Sequence, residues 1–217
     1  MTTIYDSAVL HFKLKAPTTA QGFSFDFRFF SKEYPFFICS PFNDFFLTIV
    51  TDDEGKPFVD TDNDGDLLDE DGNVSFDKEG NAVSVNNAFF TTCVSPQCGD
   101  KSAMGYITSN NNGCPGSMSC SAKETCGICE DGYQDLYAYT PSPFVVTQKH
   151  WTGRGGGTAW LTTSVPVSPG QVFNIDFYIW DTGDAIYDSS VIIDNFRWHC
   201  DETVVGTDFA KPIEEIY

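Results

Sequence analysis

Between residues 8 and 15 the chain reads AVLHFKLK, with Leu10, Phe12 and Leu14 alternating with His11, Lys13 and Lys15. A period of two sends neighbouring side chains to opposite faces of an extended backbone, so this stretch predicts a half-buried β-strand. The period returns in GFSFDFRFF, where Phe23, Phe25, Phe27 and Phe29 share an inward face while Ser24, Asp26 and Arg28 point to water. Further strand patterns run through DFFLTIV (44–50), NAVSV (81–85), PFVVTQK (143–149), TAWLTTS (158–164), QVFNIDFYIW (171–180) and SSVIIDNFRW (189–198). Helical periodicity is nowhere convincing. Short alternating strands separated by Gly, Pro and Asn turns predict an all-β fold, an antiparallel β-sandwich with jelly-roll-like connections.

Two long excursions interrupt the strands, an acidic one at about 51–73 and a second at about 93–142 that holds six of the eight cysteines. Loops of this length without regular structure need pinning. With 41% hydrophobic and 15% aromatic residues, the 217-residue chain can bury a core. No linker divides it, so residues 1–200 read as one sandwich domain and 201–217 as a tail. That tail, with its strand-like TVV, is a candidate for strand addition to a neighbour; repeated head to tail, such a contact builds a filament.

Charge narrows the partners. Twelve basic against thirty-one acidic residues give a net charge of −19, which repels nucleic acid and anionic membrane surfaces. No apolar run approaches the roughly 20 residues of a membrane helix, and Met1 is followed by polar residues instead of a signal-peptide core. A secreted form would therefore be a trimmed one. Self-repulsion on this scale is relieved by bound divalent cations.

The segment DTDNDGDLLDEDGN, residues 60–73, has the spacing of a calcium loop. Calcium takes six to eight oxygens, supplied by carboxylates at alternate positions and a sharp turn at glycine. Asp60, Asp62 and Asp64 occupy positions 1, 3 and 5, Gly65 the turn, Asp66 the backbone-carbonyl position and Asp71 position 12, where Glu is usual. The flanking helices of an EF-hand are missing, so the expectation is a Ca²⁺ loop outside that fold, set against the plainer reading of an acidic surface turn. A second group, Asp181, Asp184 and Asp188 in WDTGDAIYDSS, fits a metal site, a glycan site, an acid–base pair or Asp side chains that fasten turns.

The cysteines Cys39, Cys93, Cys98, Cys114, Cys120, Cys126, Cys129 and Cys200 form an even set clustered in a loop-like stretch, which points to disulfides and an oxidising compartment. A zinc site on Cys114, Cys120, Cys126 and Cys129 is the alternative, although paired C-x2-C modules are absent. Nucleophilic catalysis has little support: His11, His150 and His199 share no motif with a serine or cysteine, and the run Gly153–Gly157 lacks the lysine of a phosphate loop and reads as a turn or bulge. Asn73-Val74-Ser75 matches a glycosylation sequon.

Four stretches together, SFDFRFFSKEYPFFICSPFNDFF, NVSFDKEGNAVSVNNAFF, GGGTAWLTTSVPVSPGQ and FYIWDTGDAIYDSSVIIDNFRW, resemble the bacterial choice-of-anchor L domain family. The resemblance spans nearly the whole chain and implies a secreted or surface-attached β domain. It adds Glu33, Asn43 and Asp44 to the second acidic group, and both excursions look like expansions at variable loops. The expected function is a calcium-stabilised structural or adhesive module at a bacterial surface, self-assembling or bound to a protein partner, and not an enzyme. A lectin-like carbohydrate-binding module, with Trp151 as its exposed aromatic, is the alternative; a glycosidase ranks below it.

Overall fold

The computed structural model describes residues 4–34, 43–62, 64–67, 71–85, 89–93, 155–183 and 189–211. The strand PFVVTQK and almost all of the cysteine-rich excursion lie outside this set. Among the described residues there is no helix. Ten strands form two antiparallel sheets. The first has the order β1 (Ile4–Lys15), β8 (Val172–Thr182), β3 (Phe45–Asp52), β4 (Val83–Ser84). In the second, β2 (Gly22–Ser31) is central. It pairs along one edge with β9 (Ser189–His199), and along the other with β7 (Leu161–Pro166) and then β6 (Gly156–Thr158). β10 (Gly206–Phe209) extends β7, and β5 (Phe90–Cys93) extends β6.

The sheets meet through the phenylalanines of β2. Phe23 stacks on Phe173 at 5.2 Å, Phe25 meets Phe177 edge-on at 5.1 Å, and Phe27 packs on Phe46 at 4.8 Å. Rings offset or edge-on at this separation add to the area they bury. The inward face expected of β2 is therefore the core, but its other face is not in water. Ser24 and Arg28 are buried: His199 Nε2 and Ser24 Oγ are hydrogen-bonded at 2.8 Å, and Arg28 Nε donates to the Thr158 carbonyl at 2.7 Å. Alternation shows which residues share a face; it does not show what lies over that face.

Three further elements depart from the sequence pattern. β1 alternates as expected, yet Leu10 is 50% and Phe12 43% exposed. It is a margin strand paired with β8; Leu14 packs against the main core and Phe12 meets the core ring of Phe177 edge-on at 6.3 Å while staying half open to solvent. The glycine run expected as a turn ends in strand β6 instead. Gly157 passes so close to Phe30 that a Cβ there would meet the ring at 2.7 Å, so this strand is built of residues that lack one. Finally, the tail's strand segment is spent within the chain: β10 pairs with β7 from Gly206↔Ser164 to Phe209↔Leu161. Among the described residues, the first sheet ends at β1.

Burial ranks these positions. Phe25→Ala should lower unfolding free energy by about 3–5 kcal/mol, the usual range for a buried phenylalanine, whereas Phe12→Ala at the margin should cost well under half of that. Urea denaturation at fixed calcium measures both, and equal losses would contradict this division between core and margin.

Candidate functional site

The acidic excursion leaves β3 through a tight turn in which the Asp52 carboxylate accepts from the amides of Glu54 and Lys56, at 2.8 and 2.9 Å. Its apolar residues then dip back into the fold: Val59 is buried and Phe58 meets Phe173 edge-on at 5.9 Å. It returns beside β3, where the Val50 amide donates to the Gly72 carbonyl and the Val74 amide to the Thr48 carbonyl. The excursion is thus tied at both ends by backbone bonds and apolar burial. What projects outward is the acidic tip.

At that tip Asp60, Asp62 and Asp64 offer oxygens that all lie within 4.8 Å of one another. The Gly65 amide donates to Asp60 Oδ2 at 3.0 Å, folding the loop back on its first carboxylate, and Gly65 makes the turn at φ 87°, where a side chain would be strained. The Asp64 amide donates to Asp62 Oδ1 and the Asp66 amide to Asp64 Oδ1. Asp71 is not in this group; its Oδ1 accepts from the Asn73 amide at 2.8 Å. Asn73 is itself buried, its Oδ1 accepting from the amides of Thr48 and Ser75, so the sequon asparagine is a core fastener.

The second acidic group divides. Asp184 and Asp188 lie outside the described residues. Glu33, Asp44 and Asp181 come together, all three buried, with oxygens within 4.8 Å of one another. They arrive from different elements: Glu33 just after β2, Asp44 just before β3, and Asp181 near the end of β8. Asp44 Oδ2 accepts from Ser31 at 3.4 Å and from Ser189, which joins both sheets at this end. The pattern of acids gives no notice of these two hydroxyls. Ser31 and Ser189 are register partners across β2 and β9, a relation that only the pairing reveals. Burial pushes the Asp44 carboxyl above the usual range, against the opposing pull of hydrogen bonds from Ser189, the Asp181 side chain, the Thr182 amide and Ser31.

A third feature was not foreseen. On the outer face of the second sheet a cleft of about 520 Å³ is lined by Asp26, Thr162, Asn195, Arg197, His199 and Phe209, among others. Asp26 organises its floor, accepting from Thr162 Oγ1, Asn195 Nδ2 and Arg197 at 2.6, 2.6 and 2.9 Å. Asn195 reaches in from a β-bulge where its φ is 55°.

Of the eight cysteines, Cys39, Cys98, Cys114, Cys120, Cys126 and Cys129 lie outside the described residues, and Cys93 is described in its backbone alone. Cys200 has a free, exposed thiol, and the seven cysteines expected as its possible partners lie outside the described side chains. It sits just past β9 on open surface, where Gln21 Nε2 donates to its carbonyl.

Two facing antiparallel sheets, with no helix among the described residues and with acidic groups gathered at loops and strand ends, define a β-sandwich module. The chain belongs to the choice-of-anchor L domain family, whose model matches residues 1–196. Membership places it among bacterial secreted or cell-surface modules. No curated protein and no solved structure matches the chain. Among the described residues no helix is long and apolar enough to cross a membrane.

The shifted carboxyl has a measurable sign. The folded-state value of Asp44 is raised above the about 3.9 of an unfolded aspartate, so folding holds that proton more tightly. Its stabilising contribution is fully present below about pH 4 and is lost as pH rises through the raised value. In chelator, the melting temperature of the wild type should fall more steeply with rising pH than that of Asp44→Asn. Parallel curves from differential scanning calorimetry would show that this carboxyl is not held as described.

Proposed function

We propose that the chain is a calcium-stabilised structural and adhesive module of the cell surface that engages protein along β1, with a second copy of itself as the first partner. The observation that carries this reading is the edge of the first sheet. β1 runs 12 residues and, among the described residues, pairs with β8 alone. Ile4, Val9, Leu10 and Phe12 are 59, 52, 50 and 43% exposed. A long edge strand bearing apolar side chains is a template for another strand, and natural proteins usually blunt such edges unless they use them.

Charge favours a copy of the same chain. In a protein of net charge −19, β1 carries His11, Lys13 and Lys15, of which His11 and Lys13 already meet Asp176 and Asp53 within the chain, so these basic side chains soften the repulsion of an acidic neighbour along this edge. Contact between β1 and a different surface of the next copy is heterologous and extends into a filament. The tail is the poorer donor for such a contact, since β10 would first have to leave β7. Calcium enters through Asp60, Asp62 and Asp64, whose exposed carboxylates are spaced for one cation and whose loop is already folded around Gly65.

A carbohydrate-binding module is the second reading, favoured by the cleft that sets Asp26, Asn195 and Arg197 beside Phe209. Trp151 lies outside the described residues. Binding across a broad glycan array that is lost on Asp26→Ala would move the assignment to this reading.

Two results test the leading one. With calcium, sedimentation velocity and negative-stain microscopy should show association of the wild type, and Val9→Lys with Phe12→Lys should leave a folded monomer. A variant that associates like the wild type would end the β1 reading. Separately, Asp60, Asp62 and Asp64 changed together to Asn should remove a calcium-dependent stabilisation, which for one site at a hundred times its Kd amounts to about 2.7 kcal/mol. An unchanged response to EDTA would remove calcium from this loop.

A further inference from the structure

The carboxylates of Asp44 and Asp181 stand where both sheets finish. Extending the register Phe45↔Trp180 by one step sets them directly across from each other on β3 and β8, the arrangement in which like charges oppose most strongly. Glu33 brings a third carboxylate from the far end of β2. The three are 1, 0 and 7% exposed, and their oxygens lie within 4.8 Å of one another. Two oxygens on opposite sides of a calcium ion, each at about 2.4 Å, are about 4.8 Å apart, so this spacing is that of one coordination shell.

A second observation concerns an acceptor with nothing to accept. Asp44 turns Oδ2 to the two serine hydroxyls, while its Oδ1 has no hydrogen-bond partner. Asp44 is 0% exposed, so water does not readily satisfy that oxygen. A fold tolerates few such groups. A proton shared between Asp44 and Asp181 would relieve one repulsion and leave the third carboxylate, Glu33, beside the pair. Carboxylates alone make an all-oxygen donor set, which selects a hard divalent cation.

We propose that Glu33, Asp44 and Asp181 form a buried calcium site that ties the end of β2 in one sheet to β3 and β8 in the other. It shares no residue with the exposed Asp60 loop and does not depend on the reading of β1. Its cation would neutralise two of three buried negative charges at the one place where both sheets must close.

The test uses the full chain, stripped with EDTA and titrated calorimetrically with calcium chloride at neutral pH. The background carries Asn at positions 60, 62 and 64, so the exposed loop is silent. This loop-free parent should still bind calcium, and adding Asp44→Asn with Asp181→Asn should weaken that binding by more than the about hundredfold that is the upper end for removing a mere outer-sphere partner. A loop-free parent that binds no calcium overturns the proposal. So does binding that survives the double substitution at full strength, because the ion then sits elsewhere. Should the double variant fail to fold, Glu33→Gln leaves the opposed pair in place and is judged by the same two outcomes. A drop of one bound calcium between the wild type and the loop-free parent bears on the loop alone, so failure of either site is read separately.

Discussion

The fold depends on the meeting of β2 with β8 and β3. Phe23, Phe25 and Phe27 lie against Phe173, Phe177 and Phe46, a row of rings that joins the sheets along β2. Burying such rings is a leading favourable term in a β-sandwich. It also fixes where each strand ends. With β2 held against β8 and β3 by its middle, Ser31 and Glu33 at one end, Asp44 at the start of β3 and Asp181 near the end of β8 have no freedom to part. The acidic cluster is a consequence of the aromatic core.

That consequence has an energetic side. Two unit charges about 4 Å apart repel by about 1 kcal/mol in water and about 4 kcal/mol at an effective dielectric of 20. The Asp60 loop and the Asp44 group contain the same kind of side chain at the same spacing, yet only the first is open to solvent. In the loop, water and salt screen most of the repulsion. At the strand ends the protein itself must supply the compensation, and Ser31, Ser189 and the Thr182 amide supply part of it.

Legibility followed the same division between local and distant. A period of two is a local property, and it located β1, β2, β3, β4, β7, β8 and β9. The calcium-type spacing at Asp60, Asp62 and Asp64 is also local, and those carboxylates do converge. What failed was whatever depends on a distant neighbour. Ser24 and Arg28 sit at outward positions of β2, but His199 of β9 is hydrogen-bonded to one and the Thr158 carbonyl accepts from the other. Leu10 and Phe12 look inward by pattern, and exposure results because β1 is at the margin of its sheet. Gly156 and Gly157 read as a turn because their propensity is poor, whereas the ring of Phe30 demands that a strand pass there without side chains.

The buried group shows why spacing alone was silent. Residues 33, 44 and 181 have no mutual periodicity, and the family likeness, not the arithmetic, joined the first two to the third. Their proximity is created by register: Phe45 opposite Trp180 brings Asp44 to Asp181, and Ser31 opposite Ser189 brings both hydroxyls to the same carboxylate. A slip of one residue in either pairing would send these side chains to the other face of their sheets and send the phenylalanines with them. The interaction that makes the core therefore also selects the register that assembles the acids. A fold that could not tolerate these charges could not keep this core either.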